Sequence, residues 1–268
     1  MRILFLGDVV GQTGCYAIKQ NLQKIIKENN IDFTVLNGEN SADDGKGITN
    51  LIAEEFFQEG VDVITSGNHI WDKKETTDYI EKEKRLLRPA NLVEGSPGKG
   101  YGIFLTKDNL FKVGVINLMG NVFMKKTEDV FKTAQKIKEQ MKLKKNVDFI
   151  IVDFHGEITS EKMAMGHFFD GSSTAVFGTH THVPTADTRI LEKGTAYQTD
   201  LGMCGDYNSV IGMNKENSLR RFLKDKTATQ HFPSEGDATL SGIIIHADQE
   251  TGLAKNVTRL IKGGSLKN

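Results

Sequence analysis

Five short apolar runs in this chain each stop on a residue able to bind a hard or borderline cation. The run ending at Gly7 meets Asp8, and the run through Leu36 leads to Glu39 and Asn40. Residues 61–65 lead to Asn68 and His69, residues 148–153 to His155, and residues 174–178 to His180, Thr181 and His182. The donors are all oxygen or nitrogen, which excludes thiolate chemistry and suits manganese, iron, zinc or cobalt. Three protein ligands and a water are enough for one catalytic zinc, so this larger set points to two ions. A carboxylate such as Glu39 would bridge them at about 3.5–4 Å, with a bridging hydroxide as nucleophile toward phosphorus.

Those residues must be carried to one place. Runs 2–6, 32–36, 61–65, 148–153 and 174–178 are rich in Ile, Val and Phe and read as buried strands. Segments 15–29, 49–59, 71–84 and 127–143 read as helices. In the last, Val130, Ala134, Ile137 and Met141 recur at helical spacing, and Thr127 stands where a cap belongs. Strand–helix alternation implies parallel pairing, and ligands in such sheets collect outside the carboxyl ends of the strands. A second group of strands, 101–106, 111–117, 188–191, 194–199, 239–247 and 256–262, is separated by Gly-containing turns, and its first two read as a hairpin. The expected whole is α/β: two packed mixed β-sheets flanked by helices, as one domain over residues 1–268. Loop 91–100 is the expected seam between its halves.

Composition narrows the class. In 268 residues, 34 Lys and Arg face 35 Asp and Glu, a formal charge of −1 that argues against strong nucleic-acid binding or a membrane footprint. No apolar run approaches the roughly 18 residues of a membrane helix. The run Ile3–Leu6 is too short for the apolar region of a signal peptide. Cys15 and Cys204 are too few for a disulfide framework and read as small hydrophobes in a reducing, cytoplasmic setting.

The motifs resemble a known family. Gly7-Asp8, Gly38-Glu39-Asn40, Gly67-Asn68-His69, His155-Gly156-Glu157 and Gly178-Thr179-His180-Thr181-His182 are similar, in order, to the motifs of calcineurin-type metallophosphoesterases. More narrowly, Gly7 to Gly11, Leu36 to Asn40, Ser66 to Asp72, Thr179 to Asp187 and Thr199 to Gly205 resemble the bacterial YmdB-like family. The resemblance runs from residue 3 to about 246 and implies an αββα metallophosphoesterase sandwich hydrolysing 2′,3′-cyclic nucleotides. It implies one metal held by Asp8, Glu39, Asn40 and His182, and a second held by Glu39, Asn68, His155 and His180. His69 would then face the leaving oxygen, a fitting role because histidine changes charge near neutrality. The cofactors implied are two di- or trivalent ions, iron or manganese before zinc, and the partner is a small cyclic-nucleotide substrate. A homo-oligomer stays open. Two positions depart from the wider superfamily: Val10 replaces the His of an Asp-x-His pair, and Glu39 replaces the usual bridging Asp. Both match the narrower family, and Asn40 would replace the missing donor.

Plainer readings stand beside these. Gly7, Gly11 and Gly14 lack dinucleotide-motif spacing, and Asp8 would repel a pyrophosphate; Gly11 and Gly14 fit a tight turn. His155 also fits a hydrogen-bonded core histidine, and His69 a partner that orients a ligand. Asp153 shares a strand face with His155 and orients it better than Glu157 would. Trp71 and Asp72 read as opening a helix, with Trp71 in the core. His167, His231 and His246 read as structural or surface residues, and the Lys-rich stretches 136–145 and 220–226 as solvated helix faces. The rival functions are a phosphomonoesterase or protein phosphatase with the same metals, and an RNA-turnover regulator whose metal site is secondary.

Overall fold

The computed structural model describes residues 1–267, so residue 268 of the expected domain lies outside the described residues. The first third runs β1 (Arg2–Val10), α1 (Gly11–Asn29), β2 (Phe33–Asn40), α2 (Asn50–Gln58), β3 (Val63–Thr65) and α3 (Lys74–Lys82). The chain then crosses to a second sheet through β4 (Tyr101–Leu105), β5 (Lys112–Met119), α4 (Val130–Gln140), β6 (Phe149–His155), α5 (Thr159–Phe169), β7 (Ala175–Thr179), β8 (Arg189–Ile190) and β9 (Ala196–Gln198). It returns with β10 (Met203–Asp206), α6 (Lys215–Phe222), β11 (Ala238–Ala247) and β12 (Ala254–Lys262). Loop 91–100 is therefore part of the crossover between sheets.

Each sheet has six strands, in the orders β12-β11-β10-β1-β2-β3 and β4-β5-β6-β7-β9-β8. Both are mixed. β1 runs parallel to β2 and β10 but antiparallel to β11, and β5 runs parallel to β6 but antiparallel to β4. Side-chain alternation explains the layers. Ile3, Phe5, Phe33, Val35, Phe149, Ile151 and Phe177 fill the space between the sheets. Leu4, Leu6 and Leu36 face the other way, onto Ile18, Leu22 and Ile25 of α1. Ile150 and Val152 do the same against Val130, Ala134 and Ile137 of α4. Two sheets with helices outside give the expected αββα sandwich. Phe5 and Phe177 meet edge-on across its middle, with ring centroids 5.9 Å apart. Among the described residues no helix is long and apolar enough to cross a membrane.

Several local expectations need correction. Strands β1, β2 and β6 continue through Asp8, Glu39–Asn40 and His155 rather than stopping before them. Helix α1 begins at Gly11, which takes φ +59, but Gly14 has a packing role: a Cβ there would sit 2.3 Å from the Cys204 carbonyl oxygen. Helix α3 starts at Lys74, so Trp71 and Asp72 lie in the preceding turn; Trp71 still packs against the helix-side core. Asp129, not Thr127, caps α4 by accepting the Lys132 N–H, while the Thr127 hydroxyl accepts from Asn91 and Asn121. Lys138 is not simply solvated, since its Nζ donates to the Phe168 carbonyl at 2.6 Å and lies over that ring.

Helices α5 and α6 and strand β10 escape the pattern reading for a physical reason. The buried face of α5 is Lys162, Met165, Gly166 and Phe169, which has helical spacing but only two apolar members. Helix α6 inverts the usual amphipathic pattern by burying Asn217 and Ser218 while exposing Leu219 and Phe222. Strand β10 is only four residues long.

Candidate metal centre

The face between the sheets changes character along each strand. On β2 it reads Phe33, Val35, Asn37, Glu39, and on β6 it reads Phe149, Ile151, Asp153, His155. On β7 it reads Ala175, Phe177, Thr179. Apolar residues thus floor a polar layer, and the polar layer floors a cluster of carboxylates and imidazoles. Asp8 would miss this face by simple alternation. The pairing of β1 with β2 shifts register between Leu6 and Asp8, and this irregularity turns Asp8 inward. Asp8 and His155 are fully buried and Glu39 is 1% exposed.

His155 Nε2 is the hub of the cluster. Glu39 Oε1 lies 2.9 Å from it, Asn68 Oδ1 3.1 Å and His180 Nδ1 3.1 Å. One imidazole nitrogen holds at most one proton, so it cannot satisfy three such neighbours. Asp8 Oδ2 accepts the His180 backbone N–H at 3.1 Å, but Oδ1 is buried without a hydrogen-bond partner. That oxygen lies 3.8 Å from His155 Nδ1 and 4.0 Å from His182 Nε2. Asn40 Oδ1 is also unpartnered, while its amide donates to the Gly45 carbonyl at 2.9 Å. Each orphaned acceptor costs about 1–3 kcal/mol in desolvation, and a cation removes that cost. Glu39, His155 and His180 each place a ligand atom within 4.8 Å of the others. The donor set and the orphaned oxygens fit metal ions.

A buried polar layer orients His155. Asp153 accepts the Thr179 hydroxyl at 2.7 Å, the Thr65 hydroxyl at 2.5 Å and the Asn37 amide at 3.1 Å. With its proton committed to Asp153, the Thr179 oxygen accepts from His155 Nδ1 at 2.9 Å and turns Nε2 into the cluster. Asp153 therefore acts on His155 through Thr179, not directly. Glu157 instead lies 3.2 Å from His180 Nε2. Gly67 leaves room for the His155 ring, since a Cβ there would stand 2.1 Å from its Cδ2.

His180 and His182 both adopt left-handed backbone, at φ 101 and 65, on the turn after β7. Asp200 holds that turn: its Oδ2 accepts the Thr181 N–H at 3.1 Å and the Lys162 ammonium at 2.6 Å. Lys162, 1% exposed, also donates to the Thr179 carbonyl. Asp200 Oδ1 accepts the Gly202 N–H, and the Gly202 carbonyl accepts the N–H of Asp8. His182 Nδ1 donates to the Ile211 carbonyl at 2.8 Å, which leaves Nε2 with the lone pair.

Electrostatics follow the crowding. Burial opposes charge on Glu39, but His155 and the His69 N–H outweigh it and hold the carboxyl at about 2. Burial likewise opposes charge on His155, yet Glu39, Asp8 and Asp153 carry it up to about 9. Burial, reinforced by the positive His155, drops His180 to about 3. Asp8 is raised by burial, with His182 and His155 opposing, and burial lifts Asp153 to about 6. His155 would give up its extra proton on ligating a metal ion, because imidazole ligates in its neutral form.

His69 lies at the edge, with its side chain 25% exposed. Its backbone N–H donates to Glu39 Oε2 at 2.8 Å, and its Nδ1 is 2.7 Å from Asp72 Oδ2. Lys125 reaches over from the loop after β5 to the Asn68 carbonyl at 2.5 Å. Sequence reading gave no role to Asn37, Thr179 and Asp200, although its motifs contain them, and missed Thr65 and Lys162. Asn37, Thr65 and Thr179 carried a usable signal, because each lies two residues before a strand-end donor or ends a strand on the same face. Lys162 carried none.

Known proteins bear on this arrangement. The family model described as YmdB-like protein matches residues 4–260. The chain is 46% identical over 261 residues to a Bacillus subtilis (strain 168) protein named 2′,3′-cyclic-nucleotide 2′-phosphodiesterase, covering 97% of each. A Mycoplasma pneumoniae structure described as a novel phosphatase superposes with a TM-score of 0.89 at 37% identity, covering 98% of this chain and 93% of that one. The fold alone is shared with a 5′-nucleotidase from Candida albicans, at a TM-score of 0.55 and 14% identity over 97% of this chain and 50% of that one. Family model, sequence identity and superposition agree, and the chain belongs to the YmdB-like family.

Proposed function

We propose that this chain is a metal-dependent phosphodiesterase that hydrolyses 2′,3′-cyclic nucleotides at a two-metal site. The convergence of Glu39, Asn68 and His180 on His155 Nε2, beside the orphaned Asp8 Oδ1, carries this reading. The Bacillus subtilis relative's name supports the substrate class. Asp8, Glu39, Asn40 and His182 would hold one ion, and Glu39, Asn68, His155 and His180 the other. Iron or manganese suits this oxygen–nitrogen set, with zinc as the alternative. Bound ions of this kind supply an activated water and positive charge beside the phosphoryl oxygens.

The chain's own residues do the rest. Thr179 and Asp153 keep His155 Nδ1 committed, and the Ile211 carbonyl does the same for His182 Nδ1. His69, steadied by Asp72, protonates the departing ribose 2′ oxygen as the bond from phosphorus to that oxygen breaks and one to water oxygen forms. Asp72, 2.7 Å from His69 Nδ1, orients the ring for this step. His69→Ala is expected to lower kcat by roughly 10²–10⁴ while metal content persists. Loss of one metal equivalent by elemental analysis would instead make His69 a ligand.

The reading as a whole is tested by elemental analysis and hydrolysis on one sample, comparing 2′,3′-cyclic AMP with p-nitrophenyl phosphate. The expected result is close to two metals per chain and faster turnover of the cyclic diester. Less than one metal, with no turnover after Mn²⁺ or Fe²⁺ addition, overturns it. Preference for the monoester makes the chain a phosphatase.

A further inference from the structure

A cationic cleft of about 310 Å³ lies beside the candidate centre, lined by Asp44, Lys46, Arg221, Gln230 and His231. One wall is the loop that follows β2, and the other is α6 with the segment after it. Asn217 ties that segment to α6, since its amide donates to the Gln230 carbonyl and its oxygen accepts the Thr229 N–H. Arg221 Nη1 donates to the Thr229 carbonyl at 2.8 Å, which fixes the guanidinium at the mouth.

The charges do not cancel within the cleft. Asp44, its one carboxylate, is occupied by Lys73 at 2.8 Å. Among the described residues neither Lys46 nor Arg221 has a carboxylate partner, and burial together with Arg221 and Lys46 lowers the pKa of His231. Two cations, Lys46 and the braced Arg221, left without counter-charges around a cleft suit an anion. Both walls also touch the centre. The Gly45 carbonyl accepts the Asn40 amide, and Gly47 packs against the His69 backbone. Ile211, whose carbonyl holds His182, precedes the α6 wall by a few residues.

A 2′,3′-cyclic mononucleotide has one phosphate, and the centre takes it. The cleft then has no anion of its own. We infer that the Lys46–Arg221–His231 cleft receives a second phosphate of the same substrate, so that the preferred substrate is a 2′,3′-cyclic ribonucleotide also esterified by phosphate at its 5′ oxygen. A free 5′-phosphomonoester and the internal diester of a short oligonucleotide share that chemistry. The inference rests on the phosphodiesterase reading above.

The test compares three probes at fixed ionic strength: 2′,3′-cyclic AMP, its 5′-phosphorylated form, and the dinucleotide ApA ending in a 2′,3′-cyclic phosphate. At least one second-phosphate probe is expected to show kcat/KM about three- to tenfold above cyclic AMP, the effect expected of charge-assisted contacts at an exposed rim. Which probe gains more separates the monoester from the diester. In both Arg221→Ala and Lys46→Ala that ratio is expected to fall toward one; Lys46 serves as the second variant because Arg221 also braces the loop. Equal kcat/KM for all probes in the parent, or a ratio surviving both substitutions, overturns the inference. The same ratio is read as binding affinity on the slow His69→Ala protein. If no probe is turned over by the metal-loaded parent, the phosphodiesterase reading fails, and the binding ratio alone decides the cleft.

Discussion

Glu39→Gln is expected to lower hydrolysis of 2′,3′-cyclic AMP by roughly 10³-fold or more, with little change in Tm. The two Glu39 oxygens face different neighbours: Oε1 lies 2.9 Å from His155 Nε2, and Oε2 accepts the His69 N–H at 2.8 Å. Glutamine has the same shape but no charge, so it could not serve as a bridging carboxylate between two cations. The fold should survive, because the His155 imidazole, held protonated chiefly by Glu39, gives up its proton once that charge is gone and leaves no unpaired buried cation. Kinetics, elemental analysis and thermal melting on one preparation check all three statements. Full turnover by the variant would overturn the bridging role proposed for Glu39. Salt-sensitive RNA binding that survives the substitution would favour an RNA-associated role over catalysis.

The other large effect falls on stability. Lys162→Met leaves Asp200 without its ammonium at 2.6 Å, in a place where Lys162 is 1% exposed. Breaking a buried pair from one side costs about 3–5 kcal/mol. At about 2–4 °C per kcal/mol for a chain of this size, Tm should fall by roughly 6–20 °C. The N–H groups of Thr181 and Gly202 still reach Asp200 and favour the lower end of that range. Adding Asp200→Asn to Lys162→Met should recover part of the loss, because the unpaired charge is then gone. A single variant melting within about 2 °C of the parent would show the pair to be dispensable. Metal content should fall along with Tm, since Asp200 braces the His180–His182 turn and, through Gly202, the Asp8 backbone.

How much of this could be read from the sequence depends on what each residue had to reveal. Asp8, Glu39, Asn68, His155 and His180 were legible because each follows an apolar run, and parallel strands gather their carboxyl ends. Asp153 was legible from alternation alone, although its action through Thr179 needed coordinates. The irregular pairing at Asp8 was not legible, since no residue type marks it. Helix α5 hid behind Lys162 and Gly166 on its buried face, where a periodicity argument expects apolar side chains. Stretch 220–226 is exposed as read, and Arg221 within it lines the same cleft as Lys46 and His231, more than 170 positions and ten positions away in the chain. Charge counting along a sequence cannot see such a meeting.

The two sheets contribute different halves of the centre. Asp8, Glu39 and Asn68 come from the sheet containing β1, β2 and β3, whereas His155, His180 and His182 come from the sheet containing β6 and β7. Packed side chains such as the edge-on pair Phe5 and Phe177, together with the hydrogen bonds of Asn37 and Thr65 to Asp153, fix how the two plates are aligned beneath them. A slide of one plate over the other by a fraction of an ångström hardly alters hydrophobic burial. It does change every spacing across the cluster at once. The middle of the sandwich therefore works to a machining tolerance set by the chemistry above it, tighter than the tolerance folding alone would demand. Core positions far from any substrate are alignment pins as well as filler.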